Sequence, residues 1–173
     1  YKRHRVKKKK QITKTWISRM QSIKTLMMNK YLSELFNDCN RCRNYGLLVL
    51  RIGVAYLIIT NHGWDKITGG PDRWAGIGTF GMKHLGITFL PAFWGFMAAF
   101  SESIGAFLIG IGLGTRVAAG LLMITMLVGV NMHITTGEGS PEMALLYAFA
   151  SAALMLAGAG DLSLDKKLFL ADK

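Results

Sequence analysis

Between residues 46 and 159 the chain carries only ten charges, five of each sign, set among four long apolar runs. A helix rises about 1.5 Å per residue, so a run of roughly twenty residues matches the ~30 Å hydrocarbon core of a bilayer. Strands do not serve, because an open strand leaves its backbone groups unpaired in lipid. The pattern predicts an all-α integral membrane protein, an up-and-down four-helix bundle with spans at about 45–64, 89–113, 116–135 and 141–159. It argues against a soluble domain, a disordered chain and a disulfide-stapled secreted module. Pro91 and Pro141 stand near helix starts, where a missing N–H costs little. The turns Gly112–Thr115 and Thr136–Ser140 are short, so consecutive helices should be antiparallel neighbours. The first connection is longer and reads as a loop.

Three segments follow: a basic tail over 1–44, the spanning domain over 45–160 and a C-terminal tail over 161–173. Residues 1–45 hold 13 Lys/Arg and two Asp/Glu, which accounts for the whole formal charge of +11. With four spans, the tail's 13 basic residues share a side with Arg116 and with three C-terminal lysines, against Lys66, Arg73 and Lys83 opposite. The positive-inside rule then puts both termini in the cytoplasm. The basic region lies too far ahead of too long a span to read as a cleavable signal. In the tail Trp16, Met20, Ile23, Met27, Tyr31 and Leu35 recur at helical spacing, with Lys14, Lys24 and Lys30 off that stripe. This predicts a basic amphipathic helix on anionic membrane lipids. A solvated or transit-like tail, or a start at Met27 or Met28, are the other readings. Nucleic acid is not an expected partner, since the run has no fold and little aromatic interleaving.

Glu102 is the most informative residue. A carboxylate that deep in a span costs several kcal/mol unless paired, protonated or wetted, so it reads as a structural lock or as a ligand contact or proton carrier. Ser101 and Ser103 flank it, and Arg51, six residues into the first span, is its expected counter-ion. At one level near the far face, Asn61, His62, Asn131 and His133 are expected to form a second polar layer, continued by Trp64, Asp65 and Lys66. That layer reads as interfacial residues, a quinone-headgroup or proton-relay site, or a metal site. Two histidines without a placed carboxylate do not make a metal site, so no metal is assigned. Cys39 and Cys42 form a lone CxxC between Arg41 and Arg43, too few ligands for a closed zinc site. They read as ordinary thiols, a redox pair, or ligands shared with a partner. Gly76, Gly78 and Gly81 fit GxGxxG, but without the strand and helix the dinucleotide fingerprint requires.

The run from Arg51 through Asn61-His62-Gly63-Trp64-Asp65-Lys66, the run from Glu102 through Thr115-Arg116, and the ending Gly158-Ala-Gly-Asp-Leu-Ser163-Leu-Asp165 resemble three signatures of the DoxX family. The likeness spans roughly 45–168; Ile104-Gly105 stands where the second signature often has two glycines. It implies a four-span protein of the bacterial inner membrane. The family takes its name from a subunit of a thiosulfate:quinone oxidoreductase, and others are linked to membrane oxidoreductase assemblies. Arg51, His62, Lys66, Glu102 and Arg116 match its polar positions.

The expected function is a membrane subunit supporting quinone-linked redox chemistry with another membrane or peripheral redox protein, inactive alone. Glu102 and Arg51 are the catalytic candidates. His62, Asn61, Lys66, Asn131, His133 and Arg116 are the cofactor-contact candidates, with quinone the candidate cofactor. A non-catalytic assembly component glued by a Glu102–Arg51 pair is the alternative. Small-solute or proton translocation is a third, for which the sequence shows no inverted repeat or broken helix.

Overall fold

The computed structural model describes residues 16, 19–28, 30 and 39–169, in two units that are taken separately. In the first, residues 19–28 are helical, and Trp16, Met20, Ile23 and Met27 of the expected stripe are exposed. Tyr31, Leu35 and Lys14 lie outside the described residues.

The second unit is all helix: α1 (Asn40–Thr68), α2 (Gly70–Lys83), α3 (Pro91–Ile111), α4 (Thr115–Thr136), α5 (Glu142–Ala157) and the short α6 (Leu164–Phe169). Among the described residues, α1, α3 and α4 are long and apolar enough to cross a membrane, and α5 is a shorter apolar helix. The protein is therefore an α-helical, multi-pass membrane bundle.

Neighbours run antiparallel, as the short turns required. On α1 and α3, Arg51 stands beside Gly112, Ala55 beside Gly110 and Gly63 beside Glu102. On α4 and α5, Gly120 faces Met155 and Gly129 faces Ala144. Ser101 of α3 meets Thr125 of α4, hydroxyl to hydroxyl at 2.7 Å. Leu122, Ile109, Ile58 and Leu154, all at 0% exposure, fill the centre. The bundle is thus closed by apolar packing, with small residues where helices approach most closely.

The first connection departs from the expected loop. It is a 14-residue helix, α2, packed antiparallel on the first half of α3. A Cβ on Gly78 would overlap the Pro91 carbonyl oxygen, and one on Gly95 would overlap that of Trp74. These glycines let the two backbones touch, and their low hydropathy is why the segment reads as loop. The GxGxxG glycines lie within this helix. Its course also corrects the first crossing. Only Arg51–Gly63 of α1 runs beside the second half of α3; α2 covers the first half. The crossing is made in two pieces, broken at Gly69-Gly70, where Gly70 takes a φ of +78°.

Candidate functional site

Both α1 and α3 widen into a π turn at the same height, over Ile59–Gly63 and Ser101–Gly105. Local chemistry favours the widening. Thr60 and Asn61 donate to the carbonyls of Tyr56 and Leu57, and Ser101 and Ser103 donate to those of Ala98 and Ala99. Side chains that bond back onto the preceding turn compete with the helix's own N–H groups. The two turns fit against each other because residue 63 is glycine: a Cβ there would overlap the Glu102 carbonyl oxygen. Such π turns recur at functional sites.

The widened turns bring Lys66 to Glu102. The Lys66 ammonium donates to the Glu102 carboxylate at 2.6 Å, with the glutamate side chain 5% and the lysine 27% exposed. Burial of the acid is tolerated because the charge is paired. The pair stands level with Thr125, which is midway along α4. It therefore lies at mid-depth in the bundle.

Above the pair opens a chamber of about 490 Å³ between α2, the first half of α3 and the second half of α4. Ile77, Phe80, Phe93, Trp94, Met97, Leu121, Val128 and Met132 give it apolar walls, and Lys66, Glu102, Ser101 and Thr125 supply the polar groups. This is the size and character of a small-ligand site, an apolar cavity with a few convergent polar groups. The lysine can donate a further hydrogen bond into the chamber, and the glutamate carboxylate can accept one.

The other expected site residues are distributed differently. Arg51 is not the counter-ion of Glu102. It stands beside Gly112, ten residues along α3 and hence about 15 Å of helical rise from the glutamate. Fully buried, its Nη2 donates to the Leu162 carbonyl, so it clamps the segment after α5 onto α1. The expected Glu102–Arg51 lock is therefore replaced by Glu102–Lys66, since Lys66 turns inward at the end of α1.

The expected layer of Asn61, His62, Asn131 and His133 also separates. Asn61 and His62 adjoin Gly63 at mid-depth and are exposed on the outside of α1. Asn131 and His133 lie six and eight residues beyond Thr125, about 9 and 12 Å nearer the far end. His133 closes the α4–α5 turn, its Nδ1 donating to the Glu138 carbonyl at 2.6 Å. Equal counts from the helix starts misjudged the level, because α1 begins well before the α3–α4 turn. Arg116 is exposed near Gly158, at the other end from the chamber. Of the candidates, then, only Lys66 and Glu102 come together. Sequence reasoning missed Thr125 and the α2 wall, where Trp74, Ile77, Gly78 and Gly81 recur at the three-to-four spacing of one helix face.

The fold and chamber define a multi-pass α-helical membrane protein with an internal, mid-depth polar site. The chain belongs to the DoxX family, whose model matches residues 46–134. It is similar to an uncharacterized protein of Haemophilus influenzae, 32% identical over 141 residues, covering 77% of this chain and 98% of that protein. No solved structure matches the chain.

Proposed function

We propose that the chain is a bacterial inner-membrane subunit that holds a quinone headgroup in the chamber and serves quinone-linked redox chemistry together with a partner redox protein. The observation that carries this is the floor of the chamber: an ion pair and two hydroxyls beneath a wholly apolar wall. A lipophilic ring with carbonyl oxygens fits that distribution, as Lys66 offers a donor, Ser101 and Thr125 offer hydroxyls, and the walls accept ring and chain. A bound quinone would supply the capacity to take up and release electrons with protons. Within the protein, Lys66 orients a carbonyl and Glu102 holds or yields the proton. With both termini cytoplasmic, as the basic tail argues, the chamber opens in the periplasmic half. The broken first crossing is a feature of translocators, but the apolar lining offers solutes no wet path. The basic helix at 19–28 would rest on anionic lipid.

The test is to purify the protein in mild detergent and quantify co-purified quinone by mass spectrometry. Near-stoichiometric quinone is expected in wild type, with several-fold less in Glu102→Gln and in Ala98→Trp, which fills the chamber. Quinone at the membrane background in wild type, or unchanged by Ala98→Trp, would refute the assignment.

A further inference from the structure

The floor of the chamber is short of one hydrogen. Glu102 accepts from the Lys66 ammonium through Oε2 at 2.6 Å. Among the described residues nothing donates to its other oxygen, Oε1, although the side chain is only 5% exposed. A carboxylate holding one donor has acceptor capacity left over, and buried polar groups are as a rule paired. The neighbouring hydroxyls cannot meet the need. Ser101 and Thr125 carry two hydrogens between them, set against the Ala98 and Leu121 carbonyls at 3.0 and 3.1 Å and against each other at 2.7 Å. Three bonds compete for two hydrogens, so both hydroxyls reach the chamber as acceptors. Lys66 is the reverse case: an ammonium has donors and no acceptor, and a single hydrogen bond to Glu102 leaves it donors to spare.

Lys66 and Glu102 both line the chamber, so a molecule held there meets a spare donor and a spare acceptor side by side. One oxygen can answer both only if it carries a hydrogen. A hydroxyl accepts from Lys66 and donates to Glu102. A carbonyl oxygen accepts from Lys66 but leaves Oε1 without a donor, and turns its own lone pairs toward a carboxylate.

We infer that, within the quinone-headgroup reading on which this rests, the chamber selects the reduced, hydroxyl-bearing form of the ring over the carbonyl form. Glu102 is then the specificity-determining residue, through the acceptor it keeps open, with the two hydroxyls as lesser acceptors. Lys66 holds either form, and the apolar walls meet both alike. A hydrogen bond to a charged acceptor, made by one form and missed by the other, corresponds to about ten- to a hundredfold in affinity.

Anaerobic calorimetric titration of the full chain in mild detergent tests this, with decylubiquinone, its quinol and the dimethyl ether of that quinol as probes. The quinol should bind about ten- to a hundredfold more tightly than the quinone. The ether keeps the reduced ring and its oxygens but has no hydrogen to give, so it should bind no better than the quinone. In Glu102→Gln the amide can turn its oxygen to Lys66 and its N–H groups to the chamber. The quinol should then lose more than the quinone, and the ratio of their Kd values should fall to about threefold or less. Equal affinities in wild type, an ether that matches the quinol, or a ratio unchanged in Glu102→Gln would overturn the inference and leave the quinone-headgroup reading standing. Binding of neither form, or binding untouched by Ala98→Trp, would overturn both.

Discussion

Replacing Lys66 by methionine isolates the contact on which the site depends. The substitution keeps the stem and removes the ammonium 2.6 Å from Glu102, leaving a carboxylate only 5% exposed. Orphaning one partner of a buried pair costs about 3–5 kcal/mol. Here the lysine side chain is about a quarter exposed, so about 2–3 kcal/mol is the reasoned loss. Changing both partners, as Lys66→Met with Glu102→Leu, removes the stranded charge and should recover to within ~1 kcal/mol of wild type. The recovery relative to Lys66→Met alone, about 1–2 kcal/mol, lies well above the few tenths expected of distant sites. Arg51→Met supplies the contrast. About 15 Å of rise separates it from Glu102, so Glu102→Leu should not rescue it and the two losses should add. Equilibrium unfolding in mixed micelles, followed by tryptophan fluorescence, gives all the free energies needed. A Lys66→Met protein as stable as wild type, or rescue of Arg51→Met by Glu102→Leu, would refute the pairing.

Two further substitutions probe the elements that build the chamber. Gly95→Ala puts a Cβ onto the Trp74 carbonyl oxygen; because backbone cannot yield as a side chain can, α2 should lift off α3 at a cost of about 1–3 kcal/mol. Gly76→Ala, in the same helix but with open space around it, should instead gain roughly 0.5–1 kcal/mol, and equal behaviour of the two in thermal melts would contradict the tight α2–α3 contact. Asp165 accepts from the Gly114 and Thr115 amides at 2.7 and 3.1 Å. Asp165→Ala should therefore cost about 0.5–2 kcal/mol as a lost helix cap, read as a lower melting temperature and faster proteolysis near 160–165.

The apolar helices and their directions were legible in the sequence because burial in lipid leaves a long apolar run with few alternatives. Glu102 was legible as a site for the same reason, a carboxylate in such a run being conspicuous. What stayed hidden was vertical position. Counting 1.5 Å per residue from the first apolar residue assumes that spans start at one level and run unbroken. Here α1 begins eleven residues before Arg51, passes through a π turn and ends at mid-depth. That shift carries Asn61 and His62 away from His133, takes Arg51 down to Gly112 and brings Lys66 up to the glutamate. The glycines of α2 concealed the rest: they lower its hydropathy toward that of a loop, while in the fold they are what allows a helix to lie flat on α3.

The break at Gly69-Gly70 ties these features together. Ending a helix inside a bilayer strands its last carbonyls, and each must find a donor away from water. Trp74 supplies one, its indole N–H donating to the Lys66 carbonyl at 2.9 Å. The same helix end carries partial negative charge, which favours a cation in its last turn; Lys66 stands in that turn, with a stem long enough to reach Glu102. Had α1 continued straight as one helix, no new helix start would have let α2 lean away to leave space between itself, α3 and α4. The chamber and the ion pair are thus two consequences of one interruption. Restoring a continuous helix, by replacing Gly69-Gly70-Pro71 with alanines, should therefore close the chamber and unpair Lys66 together. Loss of one without the other would show that the break is not their common cause.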